Sequence, residues 1–461
     1  MMRVRHFGNT ANNAYYNALI LDRFEGVGSE LPISMFGLVH AISAPAWEGV
    51  DFDVPDADWV SRPDWSRIPG AVELNSTYTD IPGPAASAPL ASRPSFSPAR
   101  TIAATVNGIY GKLAGRRWAA PLFDLPYGVV LGRRPIVQSR SGHLDIFYGS
   151  DSIPWTRPSA PYVCLEHGTV RAIADGPRES ALFRKEYRAQ VGRAAHLWVT
   201  NLDPRTLEVA EDVAPGRWSA LPHPYLPDPR VPFAGAPAKR AQLLEEASAE
   251  RLVLLPSSQN WAKTHDKGSM TALRAFVELR RRGSSVGLVA VEWGHQLAES
   301  QAFLAREGVD RHVVWVPPMA RFGLQRMMAD VDVVWDQFGI EAFGGLACRA
   351  VEQGTPFVSR GLAPVGEQLI GGPVPWLQAA STDDIVRQTL AVLADMDARG
   401  RDAVINDHRA RYRSWLLERH SPAMTASLQR EAYAQILDGG APVGPPDAWA
   451  QHIGTAERNG S

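Results

Sequence analysis

Residues 331 to 356 constrain the fold more than any other stretch. Val331 to Trp335 is short and apolar, as a strand buried on both faces would be, and Asp336-Gln337-Phe338-Gly339-Ile340-Glu341-Ala342-Phe343-Gly344-Gly345 follows as a glycine-bearing turn. Leu346 to Glu352 then has helical spacing, closed by Gly354 and Pro356. A strand, a glycine turn and a helix start leave unpaired backbone N–H groups at the head of the helix, where aligned peptide dipoles add partial positive charge. A phosphate-bearing ligand is expected at such a corner.

The same rhythm recurs along the chain. Val4 to Phe7 reads as a strand, Gly8-Asn9-Thr10 as a tight turn and Asn12 to Leu21 as a helix. In the middle, Arg251 to Pro256 is a buried strand, Ser257 to Asp266 a polar loop, and Lys267-Gly268 leads into a helix from Met270 to Arg281. Strands are also expected at Tyr162 to Leu165, Leu197 to Thr200, Val286 to Val291, Val313 to Val316 and Pro356 to Ser359, with a helix over Phe183 to Ala195. Alternation of this kind means parallel sheets covered by helices on both faces. Near the C-terminus, helices are expected over Asp383 to Asp397, Asp407 to Arg419 and Pro422 to Leu437.

At 461 residues the chain is too long for one core and suits two domains. The prolines at 222, 224, 227, 229 and 232 mark an interdomain linker. Eight prolines between Asp51 and Arg100, with little periodicity, mark an irregular excursion beside the first sheet, either shaping a cleft or forming a surface loop. A formal charge of -2 supplies no field for nucleic acid, and no apolar run is long enough to span a bilayer. The basic run Arg280-Arg281-Arg282 reads as a solvated helix end in preference to a peripheral membrane contact. Cys164 and Cys348 lie apart in apolar stretches, so reduced thiols and a cytoplasmic location are expected.

Glu341-Ala342-Phe343-Gly344, followed by Gly354-Thr355-Pro356-Phe357-Val358, resembles the Glu-x7-Glu region of the family 4 glycosyltransferases of GT-B fold. Lys267-Gly268 is similar to that family's diphosphate-binding Lys-Gly, and the first strand-turn-helix to the opening of its N-terminal domain. The resemblance implies two Rossmann-like doubly wound domains facing a central cleft. Their spans would be 1–228 for the acceptor domain and 229–400 for the nucleotide-sugar domain, with helices in 401–437 crossing back and a flexible tail over 438–461. It further implies a retaining, metal-independent transferase, with a nucleotide-diphosphate sugar as donor, no cofactor, and a small molecule or glycan as acceptor. A noncatalytic nucleotide-sugar-binding relative and a nucleotide-sugar epimerase are the alternatives.

Carried over by position, Lys267 would neutralise the departing diphosphate, Glu341 would hold the sugar hydroxyls, and the backbone of Phe343, Gly344 and Gly345 would receive phosphate. Gly8, Asn9 and Lys263 join the expected donor site. His167, at the carboxyl end of a strand and beside Gly168, is the expected catalytic residue of the first domain. Glu166, His143 and Asp145 are candidates for the acceptor side, with Asp151 nearby; ordinary turn residues are the competing reading. The pattern breaks at one position. Where the family has its second, ribose-binding Glu, this chain has Arg349, and the nearest carboxylate is Glu352. Either Arg349 turns outward and Glu352 substitutes, or Arg349 binds a phosphate, or turnover has been lost. No cluster of His and Cys suggests a metal; Asp51-Phe52-Asp53 and Asp330-Val331-Asp332 have a suitable carboxylate spacing but a poor setting.

Overall fold

The structure, a computed structural model, describes residues 2–7, 13–30, 136–137, 143–149, 157–159, 161–167, 181–225, 235–261, 266–317, 319 and 321–440. The 51–100 excursion lies outside them. Two six-stranded sheets, each parallel throughout, organise what is described. The first has the order β2-β1-β4-β6-β7-β8. Its strands are β1 (Arg3–Phe7), β2 (Gly28–Glu30), β4 (His143–Tyr148), β6 (Tyr162–Glu166), β7 (His196–Val199) and β8 (Trp218–Ala220). A separate two-residue ladder pairs β3 (Ile136–Val137) with β5 (Arg157–Pro158). The second sheet has the order β11-β10-β9-β12-β13-β14, from β9 (Arg251–Leu255), β10 (Val286–Val291), β11 (Val313–Val316), β12 (Val333–Trp335), β13 (Phe357–Ser359) and β14 (Leu377–Gln378).

Helices cover both faces of each sheet, so strands such as β10, buried at every residue, need apolar side chains on both sides. In the first half, α1 (Asn13–Glu25) lies on one face and α2 (Ala181–Val191) with α3 (Pro204–Val213) on the other. In the second half, α4 (Pro237–Glu246), α7 (Arg321–Asp330), α8 (Gly345–Gln353) and α11 (Arg401–Arg419) build one core with Leu252, Val289 and Val334. On the opposite face, α5 (Ser269–Arg281) and α10 (Thr382–Arg399) pack on Val253, Leu288 and Val333. Helix α6 (Leu297–Arg306) follows β10, and the short α9 (Pro364–Leu369) follows β13.

The last helix, α12 (Pro422–Leu437), belongs spatially to the first half. Its Ala426, Tyr433 and Ile436 share a core with Val4, Ile20 and Ile146. Gln429 donates to the Asn17 side chain at 2.7 Å and accepts from the Tyr433 hydroxyl at 2.8 Å, so the polar groups enclosed at this crossing satisfy one another. The halves also meet where Ala363 and Val365 enter the core of the first sheet. A Cβ added at Gly366 would lie 2.9 Å from the Leu202 carbonyl oxygen, so the backbones nearly touch.

Asp330 and Asp332 hold the amino end of the second sheet. Asp332 is fully buried and accepts from the Leu252 amide at 2.8 Å, from Arg240 at 2.9 and 3.0 Å, and from Arg401 Nε at 3.0 Å. Asp330 accepts from the Ala236 amide at 2.7 Å. One carboxylate thus ties β9, α4 and α11 to β12. Replacing Asp332 by Ala would leave two guanidinium groups without this partner, and stability is expected to fall by about 3 kcal/mol. A lower urea midpoint is the readout; an unchanged one would show that the cluster holds nothing.

Candidate functional site

In an open parallel sheet, ligands bind beyond the carboxyl ends of strands where the strand order reverses. In the second sheet that point lies between β9 and β12. Ser257 follows β9, and Asp336 follows β12. Asp336 is 2% exposed; one carboxylate oxygen accepts from the Ser257 hydroxyl and the other has no hydrogen-bond partner among the described residues. Burial pushes its carboxyl up from the ordinary range, while the charge of Lys267 pulls it down.

Lys267-Gly268 lies directly on this turn. The Phe338 amide donates to the Lys267 carbonyl at 2.7 Å, and a Cβ on Gly268 would come within 2.5 Å of the Gly339 nitrogen. With φ of +79°, Gly268 also occupies a backbone region that side chains disfavour. Both loops therefore meet backbone to backbone, and Lys267 stands on the same loop cluster as Glu341. Glu341 is not isolated: Arg360, just after β13, contacts its Oε1 through Nε at 3.1 Å and a terminal nitrogen at 3.1 Å.

The turn continues into α8. Phe343 is buried, stacked on Trp376 with 5.3 Å between centroids and set against Trp415 and His420. Its side chain is an anchor, so only backbone from Phe343 to Gly345 can meet a ligand. Cys348 N–H bonds the Gly344 carbonyl, closing the first helical turn and leaving the amides before it without intrahelical acceptors. Arg349 lies over this turn: its Nη1 is 3.9 Å, and His223 Cε1 3.6 Å, from where a Gly345 Cβ would be. Glu352 faces elsewhere, accepting from Gln325 of α7 at 3.1 Å. Of the three readings of Arg349, the one in which Glu352 takes over the ribose draws no support from that placement.

Across from α8, the first half contributes histidines. His167 Nδ1 is 2.9 Å from the Thr200 hydroxyl, whose own proton goes to the Glu166 carbonyl at 3.0 Å. The imidazole must then donate from Nδ1, and Nε2, buried with no partner among the described residues, carries a lone pair. In this tautomer His167 Nε2 can accept a hydrogen bond and cannot donate one. Burial, aided by nearby His223, holds its pKa well below the ordinary value. Its ring stacks on Tyr148 at 5.8 Å and approaches His223 at 6.3 Å. His223, half-buried after β8, faces Phe343 edge-on at 6.3 Å and links the two halves. It lies within the proline cluster and carried no motif to reveal it.

The expected acceptor residues are placed otherwise. Glu166 is fully buried and takes the Tyr187 hydroxyl of α2, because Tyr162, Cys164 and Glu166 point to the α2 face of β6. Asp145 is fully buried in a two-pronged pair with its register partner Arg5, at 2.7 and 2.6 Å. His143 begins β4, at the sheet edge opposite the cleft, 3.5 Å from Glu30. All three are engaged within the first half of the chain, Glu166 with α2, Asp145 with β1 and His143 with Glu30 of β2. Gly8, Asn9, Asp151 and Lys263 lie outside the described residues. Among the described residues no group of three or more His, Cys, Asp or Glu is placed to hold a metal ion, and no helix is long and apolar enough to cross a membrane.

Two expectations follow. Gly268→Ala should force the loops apart, and the strain of about 1–3 kcal/mol should lower the urea midpoint. An unchanged midpoint would show that the seam has room for a side chain. The second concerns acid. Burial lowers the pKa of His223 to about 4 and of His420 to about 3, against 6.5 for a free imidazole. Between about pH 6.5 and 4 the unfolded chain therefore binds more protons than the folded one, so stability rises with pH and is lost as pH falls. Each such group contributes a slope of about 1.4 kcal/mol per pH unit. His420→Phe should flatten the measured slope by one proton; an unaltered slope would exclude His420 as a source.

No protein-family model matches the sequence, and no curated protein matches it. Solved structures do. Sucrose-phosphate synthase from Thermosynechococcus elongatus superposes with a TM-score of 0.53 at 14% identity, over 94% of this chain and 100% of that one. Anabaena HepE in complex with UDP-glucose gives a TM-score of 0.53 at 11% identity, with 94% and 100% coverage. Two parallel six-stranded sheets, each helix-covered and matched along nearly the whole chain to these proteins, establish that the chain has the GT-B fold.

Proposed function

We propose that this protein is a glycosyltransferase moving a sugar from a nucleoside diphosphate sugar to a hydroxyl-bearing acceptor, with retention at the anomeric carbon and without a metal ion. The observation that carries this reading is the Lys267-Gly268 loop seated on the 336–345 turn, which gathers a lysine, a carboxylate and the head of α8 in one place. Glycosyltransferases share this fold, and one structural neighbour is described in complex with UDP-glucose.

Charge accumulates on the diphosphate as the glycosidic bond breaks, and fixed cations and amides stabilise it without reorganising. Lys267 and the first amides of α8 supply both. Arg349 fits a phosphate better than a ribose. A cation over a helix N-terminus opposes the dipole, and an anion between them reverses the sign of both interactions. Glu341 accepts sugar hydroxyls, and His167 Nε2, a lone-pair acceptor, takes a further hydroxyl from the side of the first domain. His223, with Nδ1 3.2 Å from the Pro224 carbonyl, likewise turns its Nε2 lone pair toward Gly345 and Arg349.

Incubating the protein with a panel of nucleotide sugars separates the readings. Transfer or slow hydrolysis releases free nucleotide, epimerisation gives an isomeric nucleotide sugar, and a binding module gives neither. Product anomer by NMR tests retention, and activity in excess EDTA tests metal independence. Lys267→Met should lower turnover by roughly 100-fold with the fold intact. Full turnover in that variant would refute the assignment of the diphosphate site.

A further inference from the structure

Arg360 stands outside every motif of the sequence, yet it is the residue that grips Glu341. Its placement follows from the chain path. Ser359 ends β13, the Arg360 amide donates to the Gln337 carbonyl at 3.2 Å, and Gly361, with φ of +81°, turns the backbone away. That positive φ favours glycine, and a Cβ there would also displace the Gln378 side chain. Arg360 is thereby joined to the 337–341 turn twice, by its backbone at Gln337 and by its guanidinium at Glu341.

Both guanidinium contacts fall on one oxygen, Oε1, at 3.1 Å. Oε2 has no hydrogen-bond partner among the described residues, and the Glu341 side chain is 31% exposed. A pair this open to water contributes little to folding. What it fixes is direction, because a carboxylate with one oxygen captured can present only the other.

We infer that Arg360 is a positioning residue that locks Glu341 with Oε2 presented to a hydroxyl of the donor sugar. This rests on the sugar-holding role proposed above for Glu341. Discrimination between a nucleotide sugar and its bare nucleoside diphosphate then depends on Arg360, whereas affinity for the diphosphate does not.

Calorimetry on the full chain tests this with UDP and UDP-glucose, GDP and GDP-mannose, and ADP and ADP-glucose, for wild type, Glu341→Gln, Arg360→Met, Arg360→Lys and the Glu341→Gln/Arg360→Met double variant. For the pair that binds, the ratio of the two dissociation constants should shift against the sugar nucleotide by roughly tenfold in Arg360→Met. Affinity for the bare diphosphate should stay within about threefold, since a charge this exposed is screened. Arg360→Lys should recover most of the ratio, and the double variant should lose no more than either single change. A shift in Glu341→Gln without one in Arg360→Met overturns the inference alone. A parallel loss of both ligands in Arg360→Met, or no recovery in Arg360→Lys, also overturns it. No shift in Glu341→Gln, or no binding of any pair by wild type, overturns the sugar-holding role itself and this inference with it.

Discussion

The site depends on a contact between two glycines. Gly268 and Gly339 come from loops at the ends of adjacent strands, and neither has room for a side chain where they meet. Because the backbones touch, the Lys267 carbonyl can take the Phe338 amide, and the positions of the lysine, the buried Asp336 and the Glu341 turn become one geometric fact. Gln337 holds a positive φ of 56° within that turn, a conformation costing about 1–3 kcal/mol for a non-glycine residue. The surrounding contacts over-determine it: Arg360 donates to its carbonyl, and its side chain lies beside Gly344.

Aromatic packing carries that arrangement to the other half. Phe343 is anchored by Trp376, Trp415 and His420 beneath the turn, and His223 meets its edge from the first domain. Neutral imidazoles suit this position. Burial lowers both pKa values, with Arg349 adding to the effect at His223 and His223 adding to it at His420. The first domain thus brings neutral imidazoles to this place, and the second brings Arg349 and the head of α8.

Much of the fold was legible because parallel strands buried on both faces leave uninterrupted apolar runs. Val286 to Val291, Val313 to Val316 and the helix from Pro422 to Leu437 coincide with the expected spans. Helix α11 begins six residues earlier than its expected start at Asp407, since Gly400 and not a later polar residue sets its boundary. Strand β4 was missed for a specific reason. Asp145 looks like a turn residue until Arg5, 140 positions away, is seen to neutralise it within the sheet. Glu166 was misjudged although its own strand held the signal: alternation with Val163 and Leu165 puts it on the face of Tyr162 and Cys164. Lys267 and Glu341 could be located because local glycine patterns mark their turns. His223 and Arg360 could not, since their roles arise from partners brought near only by the tertiary fold.

The return of α12 to the opening sheet has a consequence for synthesis. The second half, roughly 235–419, is continuous in the chain, whereas the first is built from both ends of it. Until Ala426, Tyr433 and Ile436 leave the ribosome, Val4, Ile20 and Ile146 lack the helix that completes their core. The earliest-made lobe is therefore the last to close, and its unfinished face must be kept from aggregating while more than 200 residues are added.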